Sequence, residues 1–219
     1  MSQSITVTVD VVLLTLRGGQ LYVVLHTRGH SPEAGKLALP GGFVHTEDDR
    51  STQDAAKRVL LMKTGIVAPY LAQLRAFSGP SRDPDRGWSI SDAYYALVGD
   101  DTLYRKYDEC EVYPVDALPE LAFDHADIIK VAVSRVRNQS SYSSLPCYLL
   151  PEQFTLSELM ETYEAVLNQK LDKSLFRSKV RNWTFIEPVP GAMRQGRHRP
   201  AQLYRLQRDA QLEFFNNTI

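Results

Sequence analysis

The sequence feature that most constrains the fold is an apolar hairpin that leads into a glycine-rich turn and a helix. Residues 5–16 alternate and then run continuously apolar, a Gly-Gly pair turns the chain, and residues 21–26 are again apolar and β-branched. This pattern predicts a β-hairpin. After a loop, the chain continues with LALPGGFV and then a helix over about 52–64, which Gly65 ends. Strand, glycine turn and helix therefore follow one another in order.

Further strand and helix patterns complete the first 150 residues. Residues 74–77 and 90–98 have strand character, with a loop predicted at 78–88 between them. Apolar residues at three- and four-residue spacing predict a helix over about 125–137. The mixture predicts an α+β fold class.

A second domain is predicted in the last third of the chain. The segment 138–151 is polar, contains two prolines and has the composition of a linker. We therefore expect two domains, residues 1–150 and residues 151–219.

Two capped helices and a hairpin make up the predicted second domain. Thr155 with Glu158 three residues later is a capping-box pattern, and Asp172 is placed to cap a second helix that runs to about Asn182. Two strands joined by a long basic loop follow. Helix, turn, helix and hairpin in this order predict a winged helix-turn-helix.

Positive charge is concentrated late in the chain, although the net charge is only -1. Residues 1–150 hold 15 Lys+Arg against 18 Asp+Glu, whereas residues 165–208 hold ten basic residues against Asp172 and Glu187 alone. This local excess, 10 minus 2 or +8, is typical of a protein that binds a polyanion. A solvated basic face is the alternative.

The sequence favours a cytoplasmic protein. The start of the chain has no basic region followed by an apolar run, and no stretch is long and apolar enough to span a bilayer. Cys110 and Cys147 lie far apart without a metal-binding spacing, which indicates a reducing compartment. No membrane association is expected.

The glycine turn and the helix after it resemble the motif of the Nudix family, which reads G, five residues, E, seven residues, and REUxEExGU with U apolar. Gly42 matches the first glycine, Arg58 the arginine, Leu60 the first apolar position and Gly65-Ile66 the final pair. The stretch from Gly42 to Arg58 is two residues longer than the family pattern. The resemblance implies a Nudix-like α/β/α sandwich for the N-terminal domain.

The acidic positions of that motif are not acidic in this chain. The family places glutamates where this sequence has Val59, Met62 and Lys63. In active members those carboxylates hold magnesium at the diphosphate, but Met62 does not bind a hard cation and Lys63 would repel one. The simplest structural role for Met62 is core filling. The acidic residues at 47–49 precede the helix, and one carboxylate does not make a metal cage. We therefore expect no catalytic residues, no metal and no efficient hydrolysis.

A diphosphate pocket without a metal needs cationic donors. The loops HTRGHSPEAGKLALPGGF, FSGPSRDPDRGW and LAFDHADII resemble those of ADP-ribose-type Nudix proteins. This resemblance implies an ADP-ribose-sized site and ADP-ribose as effector, with no cofactor. For Asp124 and His125, helix capping and a structural histidine are the alternatives. The candidate ligand-binding residues are Arg28, Lys36, Gly41, Gly42, Arg75, Arg82, Arg86, Asp124 and His125.

In a helix-turn-helix the second helix enters the major groove, and flanking basic residues hold phosphates. Leu175, Phe176 and Val180 have the spacing of a core-facing stripe. The remaining residues of that helix and the basic loop between the last strands are the candidate DNA contacts, namely Lys173, Ser174, Arg177, Ser178, Lys179, Arg181, Arg194, Arg197, His198 and Arg199.

A degenerate Nudix domain followed by a winged helix with GRHRPAQLYRL resembles the NrtR family, bacterial Nudix-related regulators of NAD metabolism. The resemblance covers nearly the whole chain. It implies a cytoplasmic homodimer that represses NAD-biosynthesis genes by binding a palindromic operator in double-stranded DNA and releases it when ADP-ribose occupies the Nudix pocket. His198-Arg199 is an insertion relative to the GRPA-like wing of the family.

Two other functions remain open at this point. The chain could be an active Nudix hydrolase whose carboxylates come from Glu109, Glu111 or Glu120, with the basic domain as an accessory. Alternatively, the winged helix could be a protein-interaction module, since such folds are reused widely.

Overall fold

A computed structural model of the chain describes residues 5–83, 85, 87–104, 110–195 and 200–219. Within these residues the N-terminal half forms one mixed sheet, and the C-terminal part forms a helix pair with a two-stranded hairpin. The α+β class and the order of a Nudix-like domain followed by a winged helix are confirmed. No helix in the described ranges is long and apolar enough to cross a membrane.

The central sheet has the strand order β3-β2-β1-β6-β5, with β4 paired to β1 and β7 paired to β2. Strands β1 and β6 are parallel, and the other pairs are antiparallel. The strands are β1 (Thr6–Arg17), β2 (Gln20–Thr27), β3 (Leu37–Ala38), β4 (Gly41–Phe43), β5 (Tyr70–Asp83), β6 (Gly87–Leu97) and β7 (Cys110–Pro114). The predicted apolar hairpin is β1 and β2.

Helices cover both faces of the sheet. The alternation along β1 sends Val9 and Val11 towards helix α1 (Thr52–Thr64), and Val12 and Leu14 towards helix α3 (His125–Ser140). The short helix α2 (Asp100–Tyr104) follows β6. This arrangement is the α/β/α sandwich that the resemblance implied.

Helix α1 forms where the sequence predicts it. Ser51 caps its start by accepting from the backbone N–H of Asp54 at 3.2 Å, and Gly65 ends it with φ 57°. The buried face includes Val59 and Leu60. Met62 is 71% exposed, so core filling is the wrong role for it.

The hairpin of β5 and β6 extends much further than predicted. The segment 78–83, expected as a loop because of its Gly, Pro and charged residues, continues β5 through the pair Gly79↔Ser89. The irregular register between Gly79 and Asp83 lets the strand bend. As a result Arg82 and Asp83 turn inward rather than lying in a solvated loop.

The segment predicted as a linker is packed into the protein. Helix α3 continues to Ser140, and a 3-10 helix (Leu145–Leu149) follows, all of whose residues are buried. Ser143 and Ser144 are buried as well, and their hydroxyl groups bond to backbone atoms, which is how a polar segment becomes part of a core.

The C-terminal part consists of α4 (Leu156–Leu167), α5 (Lys173–Val180), β8 (Ile186–Arg194) and β9 (Ala201–Leu206). The predicted capping box is present, since Thr155 and Glu158 bond reciprocally at 3.1 and 2.7 Å. Asp172 caps α5 through the N–H of Leu175 at 2.7 Å. Helix α5 ends at Val180, two residues before the predicted end.

Candidate functional site

A cleft of about 330 Å³ opens at the glycine turn of the Nudix domain. Its walls come from the start of β1, from the loop after β2, from β4 and from the C-terminal half of α1. The inward end of β5 and the start of α3 form its base. The polar and charged side chains that line it include Asp10, Arg28, His45, Arg58, Lys63, Arg82 and His125.

A buried ion network lies at the base of the cleft. The Nη2 of Arg82 is 2.8 Å from the Oδ2 of Asp10, and its Nε is 2.7 Å from the Oδ2 of Asp124. Ser91 donates its hydroxyl to the same Asp10 oxygen at 2.6 Å. The Arg82 side chain is only 9% exposed. Both of its polar edges are therefore committed to carboxylates of this chain.

His125 locks the glycine turn to this network. The backbone N–H of Leu39 donates to its Nδ1 at 2.9 Å, so the proton of the neutral ring belongs on Nε2, which lies 3.5 Å from the Oδ1 of Asp10. Burial lowers the pKa of His125, although the Asp10 carboxylate acts in the opposite direction. The structure thus gives His125 a neutral, donating role beside Asp10.

Gly41 is required by the close approach of Asp10. A Cβ at position 41 would lie 2.2 Å from the Oδ1 of Asp10 and 3.1 Å from the carbonyl oxygen of Val9. Any side chain would therefore displace either the carboxylate or strand β4.

A second ion pair lies at the mouth of the cleft. Arg58 holds Asp49 with two bonds of 2.8 and 2.6 Å and donates to the carbonyl of Phe43 at 3.0 Å. These hydrogen bonds from Arg58 lower the pKa of Asp49 to about 2. Arg58, which matches the motif arginine, therefore anchors the segment between the glycine turn and α1.

The side chains that helix α1 contributes to the cleft include no carboxylate that could hold a divalent cation. Val59 and Lys63 line the cleft at positions where the family motif has glutamates, and the Asp49 carboxylate is already held by Arg58. No group of three or more His, Cys, Asp or Glu residues placed to hold a metal occurs in the described part of the chain. The carboxylates proposed for the rival enzyme lie elsewhere, since Glu120 pairs with Lys36 and Glu111 accepts from Tyr113. Glu109 lies outside the described residues.

The structure brings five of the nine candidate ligand residues into the cleft. Asp124 lies just behind, holding Arg82, and Arg86 falls outside the described residues. Lys36 is tied to Glu33 and Glu120 outside the cleft, and Arg75 lies over the ring of Phe77 on a separate groove. The five are Arg28, Gly41, Gly42, Arg82 and His125.

The sequence did not single out Asp10, and it indicated Lys63 only as a residue that would repel a metal ion. Asp10 had one local signal, namely a carboxylate within an otherwise apolar strand, which must find a buried partner. Lys63 had the signal of a reversed charge within a recognised motif.

The outer face of α5 carries the candidate DNA contacts. Phe176 and Val180 are the buried residues of this short helix. Leu175 was expected to face the core as well, but it is 55% exposed. Lys179 is half-buried and donates to the carbonyl of Thr218. The exposed candidates are Lys173, Ser174, Arg177, Ser178 and Arg181.

The hairpin candidates are only partly described. Arg194 on β8 lies 3.4 Å from Glu158 and donates to the carbonyl of Gln153 at 3.2 Å, so part of its charge is used within the domain. Arg197, His198 and Arg199 lie outside the described residues.

Comparison with known families and structures agrees with this architecture. Residues 5–132 match the NUDIX domain, and residues 146–206 match the NrtR DNA-binding winged helix domain. The ADPR responsive transcriptional repressor NtrR of Acinetobacter baylyi is 39% identical over 203 residues, which cover 90% of this chain and 80% of that protein.

Two solved structures are similar as well. Shewanella oneidensis NrtR complexed with a 27mer DNA has a TM-score of 0.87 at 34% identity and covers 97% of this chain and 99% of that chain. The NUDIX domain of the same NrtR complexed with ADP ribose has a TM-score of 0.52 at 36% identity, covering 61% of this chain and 90% of that chain. Fold and family matches place the chain among proteins in which a Nudix domain precedes a winged helix of the NrtR DNA-binding type. The chain belongs to the NrtR family.

Proposed function

We propose that this protein is a transcriptional repressor that binds double-stranded DNA through its winged helix and responds to ADP-ribose bound in the Nudix cleft. The observation that carries the proposal is the exposed polar and cationic face of α5 on a domain that matches the NrtR DNA-binding winged helix. The related repressor is named as ADP-ribose responsive, and a related Nudix domain was crystallised with ADP ribose. Sensing is assigned to residues 1–150 and DNA binding to residues 151–219.

We further propose that the chain has lost hydrolase activity. Magnesium-dependent cleavage of a diphosphate requires carboxylates that hold the metal and position water. In this chain the cleft presents Val59, Met62 and Lys63 instead, and Asp49 is neutralised by Arg58. The Nudix domain would therefore act as a receptor.

The regulator is further proposed to act as a cytoplasmic homodimer on a palindromic operator of NAD-biosynthesis genes. Two winged helices reading half-sites about 34 Å apart, one turn of DNA, must keep a fixed spacing. An effector that favours another spacing will release the DNA, provided that it binds the released arrangement more tightly.

Helix α3 offers a physical connection between the cleft and the winged helix. It begins at His125 in the cleft and ends at Ser140, and the segment that follows is held by the second domain. There the hydroxyl of Tyr163 donates to the carbonyl of Ser143 at 2.8 Å, and Ser144 donates its N–H to the carbonyl of Glu213 at 2.9 Å. A shift of α3 would therefore reach the core of the winged helix through direct contacts.

The function is tested by selecting high-affinity duplexes from a random library and measuring their binding by fluorescence anisotropy. The expected result is a palindromic site whose affinity falls as salt rises and falls at least tenfold when ADP-ribose, but not AMP, is added. Equal affinity with and without ADP-ribose would remove the sensing half of the proposal. Absence of salt-dependent duplex binding would instead favour a protein-interaction role.

Replacing Arg177 with alanine is expected to weaken binding of the selected duplex about tenfold to a hundredfold, the effect of losing one base contact of about 1–3 kcal/mol. Arg177 is exposed on the outer face of α5. Arg50→Ala, an equivalent change at an exposed position of the Nudix domain, is the control and should leave affinity unchanged. A variant at 177 with full affinity for its site would exclude this residue from the interface.

A further inference from the structure

The cationic side chains of the cleft differ in whether they already form ion pairs or other contacts with groups of this protein. Arg82 is held by Asp10 and Asp124, and Arg58 is held by Asp49 in a two-bond pair. Arg28 donates to the carbonyl of Pro32 at 3.1 Å and lies 4.7 Å above the ring of Phe123. Only a cation without such commitments can give its full charge to an anionic ligand.

Lys63 meets that condition. It lines the cleft from the last turn of α1, its residue is exposed, and no ion pair of its ammonium group is found within the described ranges. Its position matches that of a metal-holding glutamate in the Nudix motif. A carboxylate that would attract a divalent ion is thus replaced by a cation that can contact a diphosphate directly.

Two neighbouring features support a role beyond that of a solvated lysine. Burial lowers the pKa of His26 on β2, and the charges of Lys63 and Arg28 lower it further, so the field of Lys63 acts on the sheet beside the cleft. Gly42 lines the cleft together with Lys63, and a Cβ at position 42 would approach the Cγ2 of Val59 to 3.1 Å. A side chain there would therefore crowd helix α1 and take up space of the cleft, which the glycine leaves open.

We propose that Lys63 binds the diphosphate of the effector in place of a divalent cation, so that this cleft is a metal-independent diphosphate receptor. The inference rests on the proposed function, because it takes ADP-ribose as the effector. Arg58 contributes a second positive charge at the mouth of the cleft, although Asp49 offsets much of it. Charge neutralisation by side chains of the chain itself would make effector sensing independent of magnesium.

The test is isothermal titration of the full-length protein with ADP-ribose, once in EDTA and once in millimolar magnesium. The wild-type protein should bind with the same affinity, within about twofold, in both. Lys63→Gln should weaken binding about tenfold to a hundredfold in both, as expected for the loss of a hydrogen bond to a charged group. Lys63→Arg should restore most of the affinity because it restores the charge.

Lys57→Gln is the matched control, since Lys57 is exposed on the same helix and does not line the cleft. It should bind ADP-ribose as the wild type does, and the unfolding midpoints of all these variants should agree. A requirement for magnesium, or unchanged affinity in Lys63→Gln, would overturn this inference and leave the proposed function standing. A wild-type protein that binds no ADP-ribose in either buffer would overturn both.

Discussion

Replacing Arg82 with methionine is expected to lower the free energy of unfolding by about 3–5 kcal/mol, the range measured when one partner of a buried ion pair is removed. Arg82 is 9% exposed, and its partner Asp10 is 8% exposed at the side chain. Methionine fills similar space without a charge, so Asp10 would remain buried with Ser91 as its close hydrogen-bond donor. Urea unfolding of the two proteins side by side measures the difference.

The control is Arg75→Met on the same strand, where the arginine is exposed and contacts only the face of Phe77 among the interactions described. That change should cost less than about 1 kcal/mol. A loss of the same small size for Arg82→Met would show that the desolvation of the buried pair cancels its attraction.

The loss of unfolding free energy in Arg82→Met should also depend on pH. In the wild type, burial lowers the pKa of His125, and the charge of Arg82 lowers it further. Without Arg82, protonation of His125 would give Asp10 a new cationic partner 3.5 Å away. The destabilisation should therefore be smaller at pH 5.5 than at pH 8.

The parts of the fold that the sequence predicts are those set by local rules. The capping box of Thr155 and Glu158, the cap at Asp172 and the stop at Gly65 each involve residues a few positions apart. The apolar alternation of β1 and the spacing of α1 and α3 report directly which side faces the core. These signals sufficed for the main helices, for the first hairpin and for the order of a Nudix-like domain before a winged helix.

The parts that were missed depend on contacts between distant segments. The segment 78–83 has the composition of a loop, and only its pairing with β6 makes it strand. Most of the polar segment 138–151 is buried, and the second domain supplies bonding partners for the hydroxyl of Ser144 and for the backbone carbonyl of Ser143.

The candidate site also contains residues that local sequence predicts and residues that only distant contacts bring together. The glycine turn and Arg58 follow from a motif, whereas the network of Arg82 joins residues 72 and 42 positions apart. Lys36 lies in the same loop as Arg28, and Arg75 lies on the same strand as Arg82, but the partners of Lys36 and Arg75 are outside the cleft. Charge and proximity in sequence cannot separate these cases, because the decisive partners come from other strands and helices.

Replacing Trp183 with alanine is expected to lower the stability of the winged helix by about 3 kcal/mol, the lower end of the range for large aromatic residues removed from a core, because Trp183 is partly buried. Its ring is stacked on Phe215 at 5.0 Å and 13° and lies 5.0 Å from Phe185. Tyr163 of α4 and Phe176 of α5 each lie 5.9 Å away. Trp183 therefore joins both helices, the hairpin and the C-terminal residues in one aromatic cluster.

Because α5 is anchored through Phe176 and Val180, loss of this cluster should release the helix that carries the candidate DNA contacts. Binding of the selected duplex should fall sharply at 25 °C, whereas ADP-ribose affinity, measured by titration, should change much less, since Trp183 packs in the cluster of the winged helix and does not line the cleft. Unfolding followed by circular dichroism should show an earlier transition for the C-terminal part.

Trp88→Ala is the matched control, because Trp88 is the only other tryptophan of the chain and is 45% exposed at the start of β6. This variant should unfold within about 1 kcal/mol of the wild type and bind DNA normally.

Each variant also retains one tryptophan, so its fluorescence reports the domain that still holds it. If Trp183→Ala keeps full DNA affinity and an unchanged unfolding transition, the aromatic cluster does not hold α5 in place, and DNA recognition depends on other contacts of that helix.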